Sequence, residues 1–142
     1  MKRVLFLMML VIGFISCGDD SPKKKEDPII KVHAFYTTNE APELQVPDAQ
    51  SKVYIYYNHN VIDFIGYSIQ SNGLLVNGES TIRPDQSAQI DSEGNATIIP
   101  TNTDAKKPVA IIIESNHYKK HKRYGHASIR GIDYTAVFTY DD

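Results

Sequence analysis

Three histidines fall within ten residues in Asn116-His117-Tyr118-Lys119-Lys120-His121-Lys122-Arg123-Tyr124-Gly125-His126, the segment of this chain densest in side chains able to do chemistry. Neutral imidazole is a common ligand for transition metals. His117 and His121 would share a helical face, and no helical pattern runs through the segment. It holds no carboxylate or thiol, and Lys119, Lys120, Lys122 and Arg123 repel a divalent ion. We therefore expect no metal and no other cofactor. The same cations, with Tyr118 and Tyr124 as flat faces beside His121, suit an anionic ligand such as a lipid phosphate or a sulfated or uronic glycan. The plain alternative is a charged, solvated loop joining two strands.

Nine tyrosines and no tryptophan give a second candidate. Tyr54, Tyr56, Tyr57, His59 and Tyr67 could form a stacking platform for sugar rings. Tyrosines at strand spacing also serve as core or edge residues whose hydroxyl reaches a polar partner. No Gly-x-Ser-x-Gly elbow, His-Glu-x-x-His or phosphate-binding glycine loop occurs. Asp63, Asp91, Glu93, Glu114 and Asp133 are scattered, and spacing alone pairs no two of them across a cleft. The expectation is a protein that binds and does not catalyse.

The only cysteine, Cys17, follows a cationic head (Met1-Lys2-Arg3) and an apolar run from Val4 to Ile15, with the small Ser16 before it. These are the marks of an export signal. The run is short of the roughly 20 apolar residues that span a bilayer, and Gly18-Asp19-Asp20 ends it. In these residues the chain resembles bacterial lipoproteins. That resemblance implies cleavage before Cys17, a diacylglyceryl group on its sulfur and an acylated amino terminus, an anchor to membrane lipid. Residues 1–16 are then signal. Residues 17–28 carry the lipidated cysteine and a polar, proline-bearing stretch, GDDSPKKKEDP, that reads as a flexible tether. The acidic residues after the cysteine resemble those of surface-exposed lipoproteins of some Gram-negative bacteria, which implies the cell envelope and its outer membrane.

Residues 29–142 have the length of one domain, able to bury roughly two-thirds of its unfolded surface. Loss of Lys2 and Arg3 with the signal leaves 13 basic against 17 acidic residues, a formal charge of −4, which speaks against a nucleic-acid partner. The periodicity is that of strands. Ile30–Tyr36, Lys52–Tyr57 and Tyr134–Tyr140 alternate, and Val109–Ile113 is a continuous β-branched run suited to a strand buried on both faces. Ile62–Ile69, Ala96–Ile99 and Ala127–Ile132 are further candidates. Asn72-Gly73, Asn77-Gly78 and Asp91–Gly94 supply turns, and prolines 47, 84, 100 and 108 lie between runs. No ten-residue stretch is helical. This predicts an all-β fold, an antiparallel sandwich of about seven strands.

Two stretches carry a further resemblance. Pro47-Asp48-Ala49-Gln50-Ser51-Lys52-Val53-Tyr54-Ile55-Tyr56-Tyr57 looks like the opening of carboxypeptidase-regulatory-like and transthyretin-like domains, and Ile90-Asp91-Ser92-Glu93-Gly94-Asn95-Ala96-Thr97-Ile98 is similar to their later turn and strand. The resemblance implies an immunoglobulin-like or transthyretin-like sandwich serving as a binding, spacer or assembly module. Two roles then stand open. One is a non-enzymatic envelope lipoprotein acting as an accessory binding or assembly module with an envelope-protein partner. The other is a surface glycan binder using Tyr54, Tyr56, Tyr118, His121, Arg123 and Tyr124.

Overall fold

The alternation in Lys52–Tyr57 sorts its side chains between two separate apolar layers, and the whole architecture follows from that division. A computed structural model describes residues 29–101, 107–119, 121–128 and 132–139; residues 1–16, expected to be a signal, and Cys17 with the stretch to residue 28, expected to be a lipidated tether, lie outside them. The described residues form eleven strands and one short 3₁₀ turn: β1 (Ile30–Thr38), β2 (Ala41–Pro47), β3 (Lys52–Tyr57), the turn at Val61–Phe64, β4 (Ser68–Ile69), β5 (Leu75–Asn77), β6 (Ser80–Ile82), β7 (Gln86–Gln89), β8 (Asn95–Ile98), β9 (Pro108–Glu114), β10 (Lys122–Ser128) and β11 (Ile132–Phe138).

One sheet is built on β1. Its first half pairs antiparallel with β8 and its second half with β2, while β11 runs parallel to it from Ile30↔Ile132 to Tyr36↔Phe138. The facing sheet has the order β10-β9-β3-β7, all antiparallel. Val53, Ile55 and Tyr57 of β3 and Val109, Ile111 and Ile113 of β9 pack between the sheets against Ile30, Val32, Ala34, Ala136 and Phe138. The all-β, predominantly antiparallel sandwich is thus present, with a parallel first-to-last pairing and more strands than the expected seven.

The additional strands belong to a third, small sheet, β4-β5-β6. With the 3₁₀ turn it covers the outer face of β3 and β9, where Tyr54, Tyr56, Ala110 and Ile112 meet Phe64 and Leu75. That cover explains why Val109–Ile113 is apolar without alternation: β9 is buried on both sides. The expected strand at Ile62–Ile69 is instead the 3₁₀ turn followed by the two-residue β4. The Asp63 carboxylate accepts the Asn60 N–H at 2.8 Å, and the Asp63 N–H bonds the Asn60 carbonyl, which winds the chain locally. Phe64 is thereby turned inward onto the Tyr56 ring, with centroids 5.0 Å apart.

The basic segment after Asn116 is only partly a loop. Lys122–Ser128 is the edge strand β10, laddered to β9 from Lys122↔Glu114 to Ser128↔Pro108. Without it β9 would expose a row of amides, and the alternation of Lys122 and Tyr124 with Arg123 and Gly125 fits a strand as well as a loop.

Candidate functional site

At one end of the β10-β9-β3 ladder, Glu114 stands directly between two lysines, opposite Lys52 on one side and Lys122 on the other. This row closes the outer face of the sheet where the small sheet no longer covers it. Beside it opens a cleft of about 370 Å³, with Gln50 and Ser71 on the β3 side and Ser115, Asn116 and Lys119 on the β9–β10 loop.

A buried polar knot fixes that loop. Asp48 is 1% exposed. Its carboxylate accepts the Ser115 hydroxyl at 2.5 Å and the His117 N–H at 2.9 Å. Ser115 Oγ in turn accepts the Tyr118 N–H, Ser51 Oγ accepts the Asn116 N–H, and the Asn116 amide donates to the Ala49 carbonyl. The Pro47–Ser51 turn and the Ser115–Tyr118 turn therefore form one unit. The Tyr118 hydroxyl donates to the Thr37 carbonyl at 2.6 Å, tying both to the end of β1.

Lys52 does not pair with the carboxylate opposite it. Its ammonium donates to the Ser71 carbonyl at 3.1 Å, an oxygen that also accepts the Tyr54 hydroxyl at 2.8 Å. Among the described residues Glu114 Oε2 is buried and has no hydrogen-bond partner. Burial, and secondarily the Glu114 charge, push the Tyr54 hydroxyl up to about 12, so it remains a donor at any physiological pH. The site thus combines three ammonium groups, one carboxylate oxygen lacking a donor, and amide and carbonyl groups held by a rigid loop. It can bind; it has no second carboxylate facing Glu114 and no nucleophile–base pair among its lining residues.

The residues singled out by sequence are divided by the fold. Tyr54 and Tyr56 are 3% and 0% exposed beneath the small sheet, so their faces cannot serve as a stacking platform. Their hydroxyls are spent on the Ser71 and Gly73 carbonyls. Tyr118 and His121 stack with centroids 5.5 Å apart, next to His117, which lies flat on Tyr36 at 3.7 Å. Arg123 and Tyr124 point to opposite faces of β10: the Arg123 Nε–H donates to the Val137 carbonyl of the facing sheet, while exposed Tyr124 is in register with Ile112. Among the described residues no three His, Cys, Asp or Glu side chains gather around a common point. Of the cleft residues, Asn116, Lys119 and Lys122 belong to the basic segment that the sequence offers for an anionic ligand, and Glu114 is one of its scattered carboxylates, whereas Gln50, Lys52 and Ser71 carry no such signal. The available signal was parity: Lys52 and Glu114 are the charged ends of outer-face rows that are otherwise apolar.

No protein family, curated protein or solved structure matches the chain.

Proposed function

We propose that this chain is a non-enzymatic, lipid-anchored module of the bacterial cell envelope, whose immunoglobulin-like or transthyretin-like sandwich presents a polar binding cleft away from the membrane. The observation that carries this reading is the placement of the cleft relative to the tether. The segment bearing Cys17 enters the sandwich at Ile29, beside Ile30, Ile98 and Ile132. The knot that shapes the cleft lies toward the other end of β1, where Asp48 N–H bonds Ala34 and Tyr118 bonds Thr37. A nine-residue strand spans roughly 30 Å. The eleven residues of Gly18–Pro28 add roughly 20 Å as a coil and at most about 40 Å extended. A lipid at Cys17 would tether the opposite pole and leave the cleft free to face outward, as a capture or assembly module requires.

The test is site-specific photo-crosslinking in intact envelopes. A photoreactive side chain at exposed Asn116, beside the cleft, is expected to capture an envelope component. The same group at exposed Ile99, near the tether pole, is not. Capture from Ile99 with none from Asn116 would reverse the assignment of poles and end this reading.

A further inference from the structure

We infer that the cleft takes an anionic saccharide, a sugar unit carrying a carboxylate or sulfate together with free hydroxyls. This rests on the module reading above and names its ligand class.

The cleft has two chemical needs that a fully ionised anion such as sulfate does not meet together. The first is negative charge. Lys52, Lys119 and Lys122 surround one carboxylate, so the rim is basic within a domain that is acidic overall. Neither Lys119 nor Lys122 has a carboxylate within ion-pair distance among the described residues. The second need is a hydrogen-bond donor. Glu114 Oε2 is buried without one, and the usual remedy, a lysine straight across the ladder, is not taken. Lys52 is held at Ser71 instead. A buried acceptor left unpaired is costly, and because Glu114 lines the cleft, a turn of its carboxylate toward the opening would let a ligand hydroxyl relieve it.

Free sulfate would satisfy the lysines and bring a second negative charge toward Glu114 with no donor to offer it. A neutral sugar would satisfy Glu114 and leave the ammonium groups idle. A sugar with both an acid group and hydroxyls satisfies each. Asn116 supports this: its amide N–H is committed to Ala49, which leaves its carbonyl oxygen to accept another hydroxyl. Lysines are point charges that do not select planar carboxylate over tetrahedral sulfate, so the charged group stays open between those two. At about 370 Å³ the cleft is near the small end of ligand sites, which run to roughly 1,000 Å³, and suits one or two sugar rings at a time. With a single carboxylate among its described lining residues, the cleft lacks the carboxylate pair that glycosidic hydrolysis uses.

The lipidated full chain in detergent micelles would be titrated calorimetrically with digalacturonate, a sulfated disaccharide, lactose and inorganic sulfate. At least one acidic disaccharide should bind roughly tenfold tighter than lactose, with affinity falling as salt rises. Lys119→Gln with Lys122→Gln should remove most of that preference. Glu114→Gln should weaken the acidic sugar while leaving inorganic sulfate unchanged or improved, a reversal that a mere patch of positive charge does not produce. Inorganic sulfate binding as tightly as the sugars, lactose binding equally, or binding indifferent to these substitutions would overturn the inference. So would tighter binding of phosphatidylglycerol vesicles through the same lysines, which would make the cleft a headgroup site. If no acidic sugar binds while Asn116 still captures an envelope component, only the ligand class fails. If both fail, the module reading falls with it.

Discussion

The Ser115 hydroxyl donates to the buried carboxylate of Asp48 at 2.5 Å, joining positions 67 residues apart. The same carboxylate accepts the His117 N–H, so one side chain anchors the loop that carries Asn116 and Lys119 to the cleft. Replacing Asp48 with Ala would strand two donors in a dry site. Hydrogen bonds to charged groups contribute about 1.5–3 kcal/mol each, and Asp48→Ala should lower unfolding free energy by about 3 kcal/mol. Ser115→Ala should cost about 2 kcal/mol, since it orphans a carboxylate oxygen and the Tyr118 N–H. Urea melts read both. A loss under about 1 kcal/mol in Asp48→Ala would mean that the knot does not hold the loop.

Gly73 and Gly78 both end Asn-Gly pairs with positive φ, at +79° and +59°, yet they should respond differently to the same change. A Cβ on Gly73 would lie 2.5 Å from the Tyr54 ring, whereas among the described residues nothing stands within 4 Å of one on Gly78. The Gly73 carbonyl also accepts the Tyr56 hydroxyl. Gly78→Ala should cost about 1 kcal/mol, the backbone strain alone. Gly73→Ala adds a collision with a packed ring and should cost about 3 kcal/mol. Equal losses in denaturant melts would show that the small sheet moves freely over β3.

These two turns were legible because Asn-Gly is read from the residues themselves, as were β1, β3, β8, β9 and β11 from alternation or β-branching. The 3₁₀ turn was not, because Ile62, Phe64, Ile65 and Ile69 have strand-like character and only the Asp63–Asn60 bonds decide otherwise. The platform of tyrosines misled for a related reason. Alternation places Tyr54 and Tyr56 on one face, but whether that face meets water depends on a sheet formed by residues 68–82, a non-local contact. The cleft was hidden for the same cause. Lys52 lies far in sequence from Glu114 and Lys122, and only strand order and register put the three in one row.

Burial also gives the fold an alkaline limit. The Tyr54 hydroxyl is raised to about 12 by burial and then by Glu114. Tyr56 is raised too, by burial first and then by Tyr54 and Tyr124. An unfolded tyrosine titrates near 10, so above that pH the unfolded chain sheds protons that the folded one keeps. The stabilisation is whole below about pH 10 and is lost as pH rises through the folded values. Urea midpoints should therefore fall between pH 10 and 12, and Tyr54→Phe should flatten the decline. A midpoint constant across that window, or tyrosinate absorbance appearing near pH 10 from every tyrosine in the folded protein, would contradict this.

Anchoring at Cys17 makes the sharpest prediction about the amino-terminal region. If the lipoprotein reading holds, the mature chain begins at Cys17, and its first peptide is heavier than its composition by the mass of a diacylglyceryl group and an amide-linked acyl chain. Labelled palmitate should enter the wild type and not Cys17→Ser. Because the cut depends on the modified sulfur in such proteins, that variant should also keep residues 1–16 and run at precursor size. Lys23-Lys24-Lys25 offers only about 1 kcal/mol per charge at an anionic surface, and Asp19, Asp20, Glu26 and Asp27 oppose it. A chain exported with an ordinary cleavable signal in place of residues 1–17 should therefore be soluble at moderate salt. Several acyl chains together hold firmly where one exchanges, so the wild type should resist the same wash. An unmodified Cys17 peptide from the mature protein would remove the anchor, and with it the reason for the cleft to face outward.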